Sequence, residues 1–241
     1  MTRVQKSIGL GFGLCLAAAL GAVWHFAFRT PPTHLLRLPD TAIAIDSAEG
    51  QKLLAESRFS ADHRVLVDHF VPQSRRAYCG VASSVMVVNA LLRPEPRLSQ
   101  STLFTDSVRE VRTPLQVTFG GMTLDHLQAV LIASGLEAWG YHADRTKLDF
   151  FRSVARDNLQ QEGDFVLVNY QRSRLGQAES GHISPLAAYH AASDRFLVLD
   201  VAAHKYPPVW VTAGALWNAM KTTDQTSGDS RGFIVVREKR E

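Results

Sequence analysis

The sequence predicts an α+β fold, in which a mainly helical N-terminal half packs on an antiparallel β-sheet formed by the C-terminal half. Before Gly163, apolar residues recur at helical spacing. After Gly163, short runs of β-branched and aromatic residues alternate with turn-forming residues. With 241 residues and 46% hydrophobic composition, the chain can bury one sizeable core, so we expect one globular domain.

The first 28 residues differ in composition from the rest of the chain. Arg3 and Lys6 precede a stretch, residues 7–28, that contains no Asp, Glu, Lys or Arg. About 20 apolar residues span a bilayer, whereas the apolar core of a cleaved signal peptide has roughly 7 to 15. We therefore predict a signal anchor over residues 1–28, which places the remaining chain on the periplasmic side of the inner membrane. Cleavage at Ala17 to Ala19 is the alternative and would release the domain into the periplasm.

Two further regions follow the predicted anchor. Residues 29–45 contain Pro31, Pro32 and Pro39, which favour an extended linker. Residues 46–241 are expected to form the globular domain.

The domain is expected to begin with a short helix in SAEGQKLLAES and an extended segment in RVLVDHFVPQ. The next helix is predicted to start at Cys79 and to end before Pro94. Its apolar side chains recur at the spacing of one helix face, at Val81, Val85, Val88 and Leu92. Cys79 is therefore expected at a helix N-terminus.

Two more helices are predicted before the sheet. One covers residues 123–134, with Thr123 as its N-cap. The other covers residues 146–161, where Thr146 and Asp149 resemble a capping box. The predicted strands then lie in DFVLVNY, GHISPLAAYH, DRFLVLDVA, PPVWVT and RGFIVVRE.

Charge and cysteine content exclude some classes of function. The net charge of +3 comes from 26 basic and 23 acidic residues without a long block of either sign, so nucleic acid is not an expected partner. Cys15 lies within the apolar N-terminal stretch, which leaves Cys79 as a lone thiol in the exported domain. Such a thiol is either inert in a core or kept free because it reacts.

The position of Cys79 suits a nucleophile, because a helix N-terminus stabilises a thiolate and lowers the thiol pKa. Gly80 is expected to allow close approach of a substrate. The amide of Gln73, six residues before Cys79, is a candidate donor to a developing oxyanion.

A cysteine nucleophile needs a base, and His182 is the best placed of nine histidines because it opens a predicted strand. Asp200 ends the next predicted strand, where an unpaired carboxylate would be costly. A turn at Ser193 and Asp194 brings His182 and Asp200 to the same end of the hairpin but does not fix their contact. Each residue also has an ordinary structural interpretation: a packed cysteine, a surface histidine and a turn-capping aspartate.

Three segments carry a resemblance to a known family: QSRRAYCGVASSVMVVNAL, GHISPLAAYHAASDRFLVLDVAAHKYPPVWV and TTDQTSGDSRGF. Together they resemble the catalytic domain of the phytochelatin synthase family, in particular its short bacterial branch. The resemblance implies a papain-like fold. It also implies a catalytic triad of Cys79, His182 and Asp200, with Gln73 at the oxyanion position.

The resemblance further implies glutathione as substrate, cleaved at its Cys–Gly amide through a γ-glutamylcysteinyl thioester on Cys79. The glutamyl group carries a carboxylate and an ammonium, for which Arg231 and Asp224 are the candidate partners. Asn169 and Gly181 are weaker candidates for substrate contact. The resemblance does not extend to the cysteine-rich C-terminal domain of plant members. The short bacterial members are associated mainly with cleaving glycine from glutathione, so the resemblance implies that hydrolysis dominates over phytochelatin synthesis.

No cofactor is expected for this chemistry, and a heavy-metal ion would enter only as a thiolate complex of glutathione. No metal-ligand set is predicted, because no two histidines pair with a cysteine at metal-ligand spacing. The alternatives are a papain-like periplasmic peptidase that acts on ordinary peptides and, with less support, a metal-binding protein without enzymatic activity. A homodimer is also an open expectation.

Overall fold

The computed structural model describes residues 21–240. Residues 21–28 are helical. The helices that follow are α1 (Ala48–Glu56), α2 (Ala61–Asp68), α3 (Cys79–Leu92), α4 (Asp106–Val111), α5 (Pro114–Gly120), α6 (Leu124–Ala133), α7 (Leu148–Asn158) and α8 (Ala213–Met220). The strands are β1 (Ile43–Ala44), β2 (Leu136–His142), β3 (Asp164–Gln171), β4 (Gly181–His190), β5 (Arg195–Val198), β6 (Val209–Thr212) and β7 (Gly232–Glu238).

The seven strands form one antiparallel sheet in the order β1-β6-β5-β4-β3-β7-β2. Helices cover both faces of the sheet. Leu167 and Ile234 belong to a core shared with α3 and α6, whereas Val168 and Phe233 belong to a second core shared with α7 and α8. This division follows from the alternation of side chains along a strand. The predicted α+β fold is confirmed.

The α3 helix lies between other elements of the domain rather than on its surface. All its residues from Gly80 to Leu91 are buried, and it packs mainly on β4. A helix that is apolar on all sides is typical of a protein core. The predicted helix starting at Cys79 is therefore confirmed, and its first residue faces the strand that carries His182.

Two local predictions are wrong. RVLVDHFVPQ is not extended, because Arg64 to Asp68 belong to α2, whose Leu66 is fully buried; packing overrides the β-preference of its valines. The α7 helix has Lys147 as N-cap and no side-chain cap, since the Thr146 hydroxyl is directed to the carbonyl of His142. By contrast, Thr123 caps α6 as predicted, in a capping box with His126.

The stretch 29–45 has no helix and lies along the domain, with a turn in which Ala42 N–H donates to Pro39 O at 3.0 Å. His34 N–H donates to His204 O at 2.8 Å, and Leu36 N–H donates to Lys205 O at 2.9 Å. Its end forms β1, which pairs with β6.

Across residues 21–240, no helix combines the length and the apolar character needed to cross a bilayer. Most of the predicted anchor, residues 1–20, lies outside the described residues. The anchor therefore stays a prediction from the sequence.

Candidate active site

Cys79 is the first residue of α3, and the preceding turn is held in place by polar contacts. Its N-cap, Tyr78, is buried, and the Tyr78 hydroxyl accepts a hydrogen bond from Arg75 Nη1 at 2.7 Å. The same guanidinium nitrogen donates to Thr118 Oγ1 at 2.9 Å. Cys79 as a residue is partly exposed and lines a cavity, so it can be reached from outside the core.

Gly80 serves packing rather than substrate approach, which corrects the prediction from the sequence. A Cβ atom at Gly80 would lie 2.8 Å from Met122 Sδ and 3.3 Å from Ile183 Cδ1. The glycine thus lets α3 approach β4 closely, directly beside His182. The substrate-facing role expected of Gly80 is not what the geometry supports.

His182 and Asp200 are in contact, with His182 Nε2 at 3.0 Å from Asp200 Oδ1. Strand β5 ends at Val198, and Leu199 N–H still donates to Pro185 O at 3.0 Å. The chain then turns and carries the Asp200 carboxylate under the imidazole. Both side chains are buried.

Arg172 completes this buried cluster and was not predicted from the sequence. Its Nη2 donates to Asp200 Oδ1 at 2.7 Å, its Nη1 donates to Gln177 Oε1 at 2.6 Å, and its guanidinium lies over the Tyr206 ring. The arginine is 1% exposed. It follows β3 as one of two arginines in QRSRL, and no sequence pattern singles it out.

The electrostatics of the cluster define its proton states. Burial, with a second contribution from Arg172, lowers the pKa of His182 to about 4, so the imidazole is neutral near neutral pH. Although burial opposes ionisation of Asp200, His182 and Arg172 together hold the pKa of Asp200 below its usual range. The cluster is therefore a neutral imidazole held by an ionised Asp–Arg pair.

Burial raises the pKa of the Cys79 thiol, although the backbone of Ile183, the Arg172 charge and the backbone of Gly80 act in the opposite direction. The free protein thus has a neutral thiol beside a neutral imidazole, not the helix-stabilised thiolate expected from the sequence. His182 Nε2 is engaged by Asp200 and by Ser184 Oγ, at 2.9 Å. Nδ1 of His182 is the ring nitrogen that neither of these two residues engages.

Cys79 and His182 line one cavity of about 300 Å³. Four predicted substrate-binding residues line the same cavity: Asn169, Gly181, Asp224 and Arg231. The fold therefore brings six predicted residues from distant parts of the chain into one site. Asp200 lies behind His182.

Gln73 is placed differently from the prediction. It is buried, and its Nε2 donates to the carbonyls of Arg75 at 2.9 Å and Arg76 at 2.8 Å. Gln73 does not belong to the lining of the Cys79 cavity. In this conformation its amide stabilises the turn before Cys79, and its role as oxyanion donor stays a prediction.

The far side of the cavity carries a paired cation and anion. Arg231 Nη1 donates to Asp224 Oδ2 at 2.8 Å and to Asn169 Oδ1 at 3.1 Å. A Cβ atom at Gly181 would lie 2.8 Å from Arg231 Nη1, so the absence of a side chain at Gly181 leaves room for the guanidinium. Among the described residues, Arg231 Nε and Asn169 Nδ2 are buried donors without an acceptor.

A thiol, an imidazole and a carboxylate in this arrangement are typical of enzymes that use a cysteine nucleophile. Comparison with known proteins then gives the family. The profile of the phytochelatin synthase family matches residues 33–233. The chain belongs to the phytochelatin synthase family.

Three relatives illustrate the similarity, and each is named glutathione γ-glutamylcysteinyltransferase. The wheat (Triticum aestivum) protein is 35% identical, over 81% of this chain and 40% of its own length. The Arabidopsis thaliana protein 1 is 31% identical over 90% and 44%, and the Schizosaccharomyces pombe protein is 26% identical over 83% and 50%. The chain thus spans two fifths to one half of the length of these relatives.

Among solved structures, the cysteine protease xylellain from Xylella fastidiosa is similar, with 12% identity and a TM-score of 0.44 over 88% of this chain and 98% of that protein.

Proposed function

We propose that this protein cleaves the Cys–Gly amide of glutathione and transfers the γ-glutamylcysteinyl group to Cys79. The observation that carries this proposal is the single cavity that joins Cys79 and His182 to the Arg231–Asp224 pair. The names of the relatives support the choice of substrate. The thioester is resolved mainly by water, giving γ-glutamylcysteine, and to a lesser extent by a second glutathione, giving a phytochelatin.

The chemistry begins with a proton transfer from the Cys79 thiol to His182 Nδ1 as the sulfur attacks the amide carbon. The N–H of Cys79 at the start of α3 stabilises the oxyanion of the tetrahedral intermediate. His182 then returns the proton to the glycine nitrogen, the C–N bond breaks, and the thioester forms. In the second half, His182 removes a proton from the attacking water or from the α-amino group of a second glutathione, the C–S bond of the thioester breaks, and the proton returns to the Cys79 sulfur.

Recognition of the glutamyl group uses charges on the far side of the cavity. Arg231 Nε and Asn169 Nδ2, the two buried donors described above, are available to the α-carboxylate of the substrate. The Asp224 carboxylate is available to its ammonium group. Because Asp224 and Arg231 already neutralise each other, a zwitterionic substrate end adds no net charge to the site.

The Gln73 amide joins the oxyanion site only if it rotates away from the carbonyls of Arg75 and Arg76. We therefore assign it a smaller share of oxyanion stabilisation than the helix N-terminus.

The test is mass spectrometry of the purified full chain incubated with glutathione and, separately, with an ordinary peptide containing a double-glycine cleavage site. The expected result is release of glycine and γ-glutamylcysteine, with a γ-glutamylcysteinyl adduct on Cys79, and no turnover by a Cys79→Ser variant that keeps its fold. Cleavage of the peptide but not of glutathione would identify a peptidase instead and overturn the proposal.

Glutamyl recognition is tested by Gly181→Ala. The added methyl group overlaps Arg231 Nη1 and is expected to raise KM for glutathione about tenfold with a smaller change in kcat, since the guanidinium is displaced rather than the nucleophile. The matched control is Gly214→Ala in α8, where nothing lies within 4 Å of the added Cβ. Equal KM values for the two variants would exclude Arg231 as the glutamyl partner.

We also infer from the uncharged stretch after Arg3 and Lys6 that residues 1–28 anchor the domain in the inner membrane with its active site in the periplasm. Membrane fractionation and protease accessibility in spheroplasts test this location.

A heavy-metal ion takes part, in our proposal, as a thiolate complex of glutathione. Turnover measured with free glutathione and with its metal complex tests this role.

A further inference from the structure

A second cluster of chemistry-bearing side chains lies outside the Cys79 cavity. Asp125 in the first turn of α6, His142 at the end of β2 and Asp229 before β7 each place one ligand atom within 4.8 Å of the others. The His142 side chain is 10% exposed, and its Nε2 is 3.0 Å from Asp125 Oδ1. The cluster therefore combines a buried imidazole with two carboxylates from different elements.

The orientation of His142 points to a ligand at Nε2. Its other nitrogen, Nδ1, is 2.6 Å from the carbonyl oxygen of Ser230, which can only accept, so Nδ1 carries the proton. In the neutral imidazole, Nε2 then has only a lone pair, and it faces the oxygens of Asp125 and Asp229, which offer no proton. The contact between the Nε2 lone pair and these oxygens becomes favourable if Nε2 either takes up a second proton or binds a metal ion. An imidazole whose Nδ1–H is held by a backbone carbonyl is the usual arrangement of a histidine metal ligand.

The charge around the cluster favours a divalent cation. Asp125, Asp229 and the neighbouring Asp144 contribute three negative charges, and Arg145, which is paired with Asp229, contributes one positive charge. We propose that Asp125, His142 and Asp229 bind a divalent metal ion of the zinc class, with water completing its coordination.

Such an ion would connect the cluster of Asp125, His142 and Asp229 to the cavity that Cys79 lines. Asp224 N–H donates to Asp229 O at 2.8 Å, and Arg231 N–H donates to Thr222 O at 2.9 Å. The segment 222–231 thus carries one metal ligand on one side and the Asp224–Arg231 pair on the other. The ion is expected to order this segment by tying it to α6 and β2.

The test is equilibrium titration of the metal-free full chain with Zn²⁺ in a Cys15→Ser/Cys79→Ser background, which removes both competing thiols. One equivalent of Zn²⁺ is expected to bind. Asp125→Asn is expected to weaken binding about tenfold or more, and His142→Asn more strongly because an asparagine keeps the donor to Ser230 but lacks Nε2. The control is Asp106→Asn, an exposed aspartate in the first turn of α4, which like the first turn of α6 follows a threonine N-cap.

Unchanged affinity in Asp125→Asn and His142→Asn, or no binding by the parent, would overturn the metal site and leave a protonated His142 in an ion pair with Asp125. Hydrogen exchange provides the second measurement. Slower amide exchange over residues 222–231 on addition of Zn²⁺ is expected, and unchanged exchange would overturn the proposed ordering of this segment. Both measurements use a variant that cannot turn over, so they are independent of the proposed reaction.

Discussion

Two carboxylates in this protein are almost completely buried, yet their surroundings give them opposite proton states. Asp200 is 0% exposed and Asp62 is 1% exposed. Asp200 Oδ1 accepts from Arg172 and from the backbone N–H of Ala202 at 2.8 Å, and it contacts His182. Within the described part of the chain, neither oxygen of Asp62 has a hydrogen-bond partner.

The surroundings of Asp62 add negative charge instead of balancing it. The side chain lies in the first turn of α2 and lines a cavity of about 100 Å³ together with Glu162. Burial, with further contributions from Asp164 and Glu162, raises the pKa of Asp62 to about 9. Burial alone therefore does not decide the charge of a carboxyl group, whereas a matching cation does. Asp200 stays ionised because the Arg172 guanidinium is buried beside it and His182 contacts it.

The largest effect is expected from Arg172→Met, which leaves Asp200 buried without its cation. Breaking a buried ion pair by removing one partner costs about 3–5 kcal/mol in the free energy of unfolding. Urea denaturation monitored by circular dichroism measures this loss. In Arg172→Met/Asp200→Asn, where no charge is left unpaired, much of the lost stability is expected to return.

The control for this prediction is Arg156→Met. Arg156 pairs with Asp157 at 2.7 Å, but both side chains are largely exposed, at 45% and 59%. Such a pair contributes about 1 kcal/mol or less. Equal losses of unfolding free energy for Arg172→Met and Arg156→Met would show that the buried pair contributes no more to stability than the exposed pair.

Asp62→Asn is expected to have the opposite sign, with a stabilisation of about 1–3 kcal/mol near pH 8. The folded-state pKa of Asp62 is raised from 3.8 to about 9, so between these values the folded state holds a proton that the unfolded state has lost. Stability therefore falls as the pH rises through this window. Urea midpoints measured across this pH range are expected to fall less steeply in the variant.

Asp68→Asn provides the matched control, because Asp68 is an exposed residue at the other end of the same helix. Parallel pH profiles for the parent and for Asp62→Asn would contradict the raised pKa.

The contrast between Asp62 and Asp200 also shows what the sequence could predict. The Cys79 helix and five of the strands follow from periodicity, because their side chains are buried in regular patterns. Strand β2 was missed because LEAWGYH mixes small, polar and aromatic residues, and its pairing partner β7 lies far along the chain. The helical conformation around Asp62 depends on packing of Leu66 in the core. The secondary-structure preferences of the neighbouring residues do not indicate this packing.

The candidate site was accessible mainly through the resemblance of three segments to a known family. Simple hairpin counting left the His182–Asp200 contact open, because the register shifts between Leu186 and Ala188 and β5 ends at Val198. Arg172 escaped prediction because a buried arginine leaves no local pattern in the sequence. Its role emerges only when β3 and the segment after β5 are placed side by side.

A smaller effect is expected in the pH dependence of turnover. Because the pKa of His182 is lowered to about 4, kcat/KM is expected to stay constant as the pH falls below the usual histidine range of about 6.5. Arg172→Met removes a positive charge beside the imidazole, so the pKa of His182 is expected to rise. The decrease of kcat/KM on the acid side of the pH profile, its acid limb, is then expected at higher pH. Arg172→Lys keeps the charge and is expected to retain the limb of the parent.

Stopped assays of glycine release across this pH range measure the limb, with circular dichroism confirming that each variant is folded. An acid limb near 6.5 in the parent would show that the imidazole is not held neutral by burial and Arg172.

The smallest effect is expected from Ser184→Ala. Ser184 Oγ lies 2.9 Å from His182 Nε2 and accepts from Val201 N–H at 3.3 Å, so it helps to orient the imidazole without lining the cavity. Losing this neutral hydrogen bond is expected to cost about 1 kcal/mol, which lowers kcat roughly fivefold and leaves KM unchanged. The control is Ser83→Ala, another buried serine, whose hydroxyl donates to Ile183 O at 3.3 Å and forms no hydrogen bond with His182. Steady-state kinetics with glutathione measure kcat and KM for both variants. A change in KM, or an equal loss of kcat in both variants, would mean that Asp200 alone positions His182.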